Sequence, residues 1–472
     1  MKIRATGRFS RRTFLQAGST GTLGAVLAAC SAPSAPQSSA PAPAATSASA
    51  AAPATAPTPA PTTAAAAGAA SNQAAKPTKV SLQFLYADGP PQKDKLELVV
   101  ERFKAKNPGS EIENIWTPWG EFESKIITMH SGGTPPDFHQ IDDDAVPFFA
   151  MRDLLLPVDA VLKDHQIDRK DYHPMIWDLT TVQGNVMALT LALKPRAYLY
   201  NVEMFEKAGI TAPTTWSDAW SSDQLLENAK KLTQGDVFGY SWDYWIWDSI
   251  PAMNDGEHFP PDWSDYLEPR YADAYQWIAD LAYKHKVAPP FDMRTQIGEL
   301  KLFTGGKLAI WNTTVSNTKQ LNEAQGLKWD VMPVAKILKS AKAESSLFTF
   351  AMAKATKDPA GTAAFASFFM GEEAQQILAT GGDLMPSKTS VQQSKIFADP
   401  DRQPKNAKIW IESLEQQGRW PFLYNGIELR DRIKPMVDLI WAGQMPAKEA
   451  LEQARPEVMA LLKVTQEKMG QR

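Results

Sequence analysis

Val80-Ser-Leu-Gln-Phe-Leu-Tyr86 is an apolar run of strand length, followed by Leu96, Val99, Val100 and Phe103 at the i, i+3, i+4, i+7 spacing of one helical face. Glu111 to Trp116 reads as a second strand. Phe122, Ile126 and Met129 form a second helical stripe, which Gly132-Gly133 and Pro135-Pro136 stop. Asp137 to Ile141 begins a third strand, which runs into Asp142-Asp143-Asp144. Strands alternating with helices in this order predict an α/β chain with a largely parallel sheet flanked by helices. In such sheets ligands sit beyond the carboxyl ends of the strands, which places Tyr86, Asp88 and the three aspartates at the edge of a cleft.

Upstream of that body the chemistry is different. Lys2, Arg4, Arg8, Arg11 and Arg12 make a basic start, an interrupted apolar stretch runs from Phe14 to Ala29, and Leu27-Ala28-Ala29-Cys30 ends it. These are the parts of a secretory signal, and the stretch is too short and polar for a stable membrane span. Arg11-Arg12-Thr-Phe-Leu resembles a twin-arginine export signal, and Leu-Ala-Ala-Cys resembles a lipoprotein lipobox, implying a lipid on Cys30 and removal of residues 1–29. Removal takes away five positive charges and no negative one, moving the formal net charge from −4 to −9. With no dense Lys/Arg run in the remainder, a nucleic-acid partner is not expected. Cys30 is the only cysteine, so no disulfide staples the fold.

After the lipidated cysteine, the rest of the 30–77 segment is nearly all Ala, Pro, Ser and Thr, with Lys76 its one charge. It cannot form a packed core and is expected to be a disordered tether, reaching roughly 40 Å at about 6 Å times the square root of its length. The body from Thr78 to Arg472 is long enough for two lobes.

Along that body runs an ordered string of motifs. It comprises Phe103-Lys-Ala-Lys-Asn-Pro-Gly109, Ser131-Gly-Gly-Thr-Pro-Pro-Asp137, Leu199-Tyr-Asn-Val-Glu-Met-Phe-Glu-Lys-Ala-Gly-Ile210, Pro213-Thr-Thr-Trp216 and Lys230-Lys-Leu-Thr233. Phe303-Thr-Gly-Gly-Lys-Leu-Ala-Ile310, Lys357-Asp-Pro-Ala360, Gly381-Gly-Asp-Leu-Met-Pro386 and Trp441-Ala-Gly-Gln-Met-Pro-Ala-Lys-Glu-Ala-Leu451 follow. In this order they resemble the family 1 extracellular solute-binding proteins, the carbohydrate-capturing components of ABC importers, similar to maltose-binding protein. The chain departs from the family pattern at Ser217–Gln224 and at Asn254-Asp-Gly256, so no particular member's ligand carries over.

The resemblance implies a two-lobe periplasmic-binding-protein-like (type II) fold, with lobes discontinuous in sequence and joined by hinge crossovers. Residues 78–195 plus 330–384 are expected in lobe 1, and 196–329 plus 385–472 in lobe 2. Crossings are placed near Leu193–Ala197, Lys328–Val334 and Gly381–Pro386; Gly381-Gly382 reads equally as a hinge or as a helix C-cap. A carbohydrate ligand, permease transmembrane subunits and the membrane are the implied partners of a monomeric protein at the extracytoplasmic face of the membrane or in the periplasm.

Sugar rings are held by flat aromatics at their C–H faces and by carboxylates or amides at their edges. Tyr240-Ser-Trp-Asp-Tyr-Trp-Ile-Trp247 crowds aromatics together, and Tyr244, Trp245 and Trp247 are the candidates there, although any single aromatic also suits a core. Trp119 either reaches the cleft or staples a helix start. Asp142 and Asp144 either meet ligand hydroxyls or cap the next helix. Lys194, Trp311, Asn312, Trp420 and Tyr424 complete the set. Acids and aromatics alone would instead suit a polyamine, whereas Lys194 or Arg196 mixed among them favours a sugar. A ligand-sensing module for a membrane receptor is a further reading. The six histidines show no metal-ligand spacing, and neither a Gly-x-Ser-x-Gly elbow nor a phosphate loop is present, so no cofactor, metal or catalytic residue is expected; a glycosidase is the enzyme alternative.

Overall fold

The computed structural model describes residues 79–469, apart from 88, 248–249, 251–253, 255–268, 344 and 417–422, with the backbone alone at 90, 244, 245, 269 and 270. The expectations for Arg11, Arg12, Cys30 and the tether fall outside these residues, as do those for Asp88, Trp420 and the side chains of Tyr244 and Trp245.

Strands β1 (Ser81–Ala87), β2 (Glu111–Thr117) and β3 (Phe138–Ile141) alternate with helices Pro90–Lys106 and Trp119–Ser131, as the periodicity predicts. A hairpin of β4 (Thr181–Val182) and β5 (Asn185–Val186) precedes β6 (Leu189–Lys194). The chain continues through β7 (Arg196–Asn201), β8 (Phe238–Trp242), β9 (Leu308–Thr314), β10 (Trp329–Met332), β11 (Ser346–Met352) and β12 (Met385–Pro386).

These strands build two main sheets, ordered β12-β6-β11-β3-β1-β2 and β10-β7-β9-β8. β6 belongs to one sheet and β7 to the other, and the residue between them is Pro195, which has no N–H to give to either ladder. Both sheets are mixed, but largely parallel order is corrected: the parallel pairings are β1 with β2, β1 with β3 and β8 with β9. β11 returns from the second lobe and enters from the cleft end, so it runs against both β3 and β6.

Two lobe boundaries also move. Residues 330–332, expected in the first lobe, pair in β10 with Tyr198, Leu199 and Tyr200 of β7, so the return crossing falls between Met332 and Ser346. Residues from 385 onward, expected in the second lobe, begin in the first. Met385 and Pro386 pair with Leu193 and Ala192 of β6. No crossing occurs at Gly381–Pro386. Gly381 and Gly382 take left-handed φ values of 84° and 77° as the turn that ends helix Glu372–Ala379, the C-terminal stop rather than the hinge.

Burial explains the strand that opened the sequence. Phe84 is fully buried, with the rings of Phe138, Phe350, Phe365 and Phe369 centred 5.3 to 5.7 Å away. In the second lobe Tyr240, Trp242, Tyr271, Tyr275 and Trp441 do the same work. A buried polar clasp in the first lobe reaches across to the second by one hydrogen bond. Asp383 has no exposed surface; its carboxylate accepts from Lys95 Nζ and, at 3.0 Å, from Gln92 Nε2. Lys95 also donates to Leu378 O at 3.0 Å, and Gln92 to Ser316 O, beyond β9, at 3.2 Å. Burial lowers the Lys95 pKa although Asp383 opposes it.

Candidate ligand-binding cleft

A cavity of about 830 Å³ separates the sheets. Its first wall is built from Trp119, Phe122 and Glu123 in the first turns of helix Trp119–Ser131, the aspartates after β3, Lys194 at the end of β6, and Ser346 at the start of β11. The second wall carries Arg196, Asp243, Trp247, Glu299, Trp311 and Ser316. Helix Gly426–Trp441 contributes Arg430, Asp431 and Lys434.

Aromatic faces and charges are interleaved here. The Trp119 ring lies 4.8 Å from that of Phe122, and Lys194 Nζ stands 5.2 Å from the Trp119 ring and 4.8 Å from that of Phe348. Trp247 is half-buried and backs onto the second-lobe core. Asp243 accepts from Trp311 Nε1 at 2.8 Å and Thr313 Oγ1 at 2.6 Å, with Arg196 Nη1 3.5 Å away. Burial outweighs these partners and pushes its carboxyl up to about 6. Behind it Arg294 donates to Glu299 at 2.6 Å and packs 3.9 Å from the Trp242 ring.

On the first wall three carboxylates share one guanidinium. Arg430 pairs with Glu123, and its Nη1 stands 4.0 Å from Asp142 and 3.8 Å from Asp144. Burial, with Asp144 and Glu123 beside it, raises the Asp142 carboxyl well above the ordinary range; burial also raises Glu123, against Arg430. Asp143 turns to the backbone instead, accepting from Leu347 N at 2.8 Å and Asp144 N at 3.2 Å. Among the described lining residues five buried side-chain polar atoms lack a hydrogen-bond partner: Glu123 Oε1 and Asp144 Oδ1 on the first wall, Arg196 Nε and Nη1 and Ser316 Oγ on the second. A buried polar atom without a partner is costly.

Helix Gly426–Trp441 straddles the lobes. Ile427 belongs to a first-lobe cluster with Leu85 and Phe122, whereas Leu429, Ile433, Val437, Ile440 and Trp441 belong to the second-lobe core. Gly426 permits this approach, since a Cβ there would stand 3.1 Å from Asp144 O. Arg152 holds the same end: it donates to Phe148 O and Tyr424 O at 3.1 Å and to Glu428 at 3.0 Å, between the rings of Phe148 and Tyr424.

Of the residues singled out from sequence, Trp119, Asp142, Asp144, Lys194, Trp247 and Trp311 come together in the cleft. Three others do not. Tyr86 shares the core cluster of Phe84, where its hydroxyl donates to Glu97 at 2.9 Å, because β1 is buried on both faces. Asn312 alternates with Trp311 along β9, so it points the other way and donates to Tyr240 Oη at 3.5 Å. Tyr424 packs on Arg152 rather than lining the cavity. Glu123, Asp243 and Arg430 were not among the candidates. Arg430 and Lys434 were legible as an i, i+4 pair of cations on a helix otherwise striped with Ile427, Leu429, Ile433 and Val437; Asp243 was hidden among its aromatic neighbours.

Comparison with known proteins agrees with this architecture. A binding protein of Brucella abortus is 29% identical over 147 residues, covering 30% of this chain and 34% of that one, so the match spans about a third of the curated relative. Among solved structures, an ABC substrate-binding protein from Listeria monocytogenes in complex with cycloalternan superposes with a TM-score of 0.75 at 20% identity, covering 82% of this chain and all of that one. The maltose-bound MalE3 of T. maritima gives 0.71 at 20% identity over 81% of this chain and 100% of its own. The family model for bacterial extracellular solute-binding proteins matches residues 87–376, and the chain belongs to that family.

Proposed function

We propose that this protein captures a carbohydrate in the cleft and delivers it to the permease of an ABC importer. The observation that carries this reading is the wall chemistry: aromatic faces at Trp119, Trp247 and Trp311 alternate with both carboxylates and cations. A hydroxylated ring donates and accepts at every edge, which answers unmet acceptors at Glu123 and Asp144 and unmet donors at Arg196 together. Acids and aromatics alone would suit a bare polyamine; Lys194 and Arg196 in the lining weigh against it. The saccharides bound by the Listeria and T. maritima proteins support the same class. Trp119, Asp142, Asp144, Lys194, Trp247 and Trp311 are the proposed contacts. Because such a ligand touches both lobes only when they are closed over it, binding shifts the population toward that form. Calorimetry against a panel of neutral and aminated oligosaccharides, with spermidine alongside, tests this. At least one saccharide is expected to bind with a Kd of about 1 μM, roughly 8 kcal/mol; spermidine binding with no saccharide binding would overturn the reading.

The same proposal places the body on a lipid at Cys30, the tether keeping the cleft near its permease. Cys30→Ser is expected to abolish retention in the membrane fraction while leaving saccharide affinity unchanged. Full retention of that variant would remove the anchor from the scheme.

A further inference from the structure

Charge is not balanced in the cleft. Among its described lining residues seven carboxylates meet four cations, and adding the nearest outside partners, Arg294 for Glu299 and Asp438 for Lys434, leaves that excess unchanged. The second wall is internally compensated: Glu299 has Arg294, and Asp243 has Arg196. Asp143 is engaged by backbone N–H groups. Three of the remaining carboxyl groups, Glu123, Asp142 and Asp144, share the single guanidinium of Arg430. Lys194, the other cation of that wall, lies over the rings of Trp119 and Phe348.

A second observation, on the opposite wall, points to the same occupant. The Arg196 side chain is only 7% exposed and lines the cavity, yet its Nε and Nη1 have no hydrogen-bond acceptor. Its charge is already faced by Asp243, so it calls for neutral oxygens. Glu123 Oε1 and Asp144 Oδ1 call for donors within a cluster of three carboxyl groups that shares one guanidinium. A hydroxyl supplies the hydrogen without the charge; a protonated nitrogen supplies both.

We propose that the ligand is an amine-bearing saccharide, its protonated nitrogen held by Glu123 and Asp144 and its oxygens turned toward Arg196. This rests on the carbohydrate reading and narrows it. Calorimetry at low salt compares near-isosteric probes: acarbose, which has a secondary amine where maltotetraose has a glycosidic oxygen, and chitosan oligosaccharides against their neutral glucose counterparts. An aminated probe is expected to bind at least tenfold more tightly than its neutral counterpart, and in Glu123→Gln and Asp144→Asn that ratio is expected to fall toward one. Equal or tighter binding of the neutral member in the native protein would overturn the amine proposal and leave the carbohydrate reading standing. An unchanged ratio in both folded variants would overturn the assignment of these carboxylates. Failure of every saccharide, neutral or aminated, would overturn both readings.

Discussion

Asp383→Ala is expected to destabilise the protein by about 3–5 kcal/mol, the range for removing one partner of a buried ion pair. Lys95 would keep only the carbonyl of Leu378, and Gln92 only that of Ser316. The pair is a poor source of stability in itself, since burial already lowers the Lys95 pKa; the cost comes from leaving the ammonium buried alone. Urea denaturation of the single variant and of Lys95→Met/Asp383→Ala separates these effects. The double variant is expected to recover most of the loss, because an apolar pair requires no compensating charge. A double variant as unstable as the single one would mean that the acid acts through the Gly381-Gly382 turn rather than through Lys95.

Trp247→Ala is expected to weaken saccharide binding by about 10- to 100-fold, or about 1.4–2.8 kcal/mol. The half-buried ring lines the cavity on one side and rests on the second-lobe core on the other, so its orientation is set before any ligand arrives. Calorimetry and thermal unfolding on the same sample check the claim. Loss of affinity with little change in Tm is the expected pattern; unchanged affinity would place the ligand elsewhere along the cleft.

Local periodicity made the first lobe readable. β1, β2 and β3 with their two helices occupy the stretches that apolar spacing indicates, because those elements are decided by neighbours a few residues away. The allegiance of β10 was not readable, since Trp329–Met332 satisfies its backbone by pairing with β7, a strand more than a hundred residues earlier. The third crossing was misplaced for a related reason: Gly381-Gly382 has hinge-like freedom in isolation, but Asp383 buries against Lys95 and fixes the turn within the first lobe. Within the site, Trp311 and Asn312 were chosen together although adjacent strand residues face opposite ways. Glu123 and Arg430 could not be paired from sequence at all, being 307 positions apart.

The helix Gly426–Trp441 has one mechanical consequence. Two ordinary crossovers would let the lobes swing as a free door, but this helix is a rod rooted in one lobe with its tip inserted in the other. Any wider gape must withdraw Ile427 and strip Arg152 and Arg430 of their grips at that tip, while the rest of the rod stays intact. The swing therefore works against a detent at the rim of the cleft, and one of the groups that form the detent, Glu123, is also proposed to hold the ligand's nitrogen.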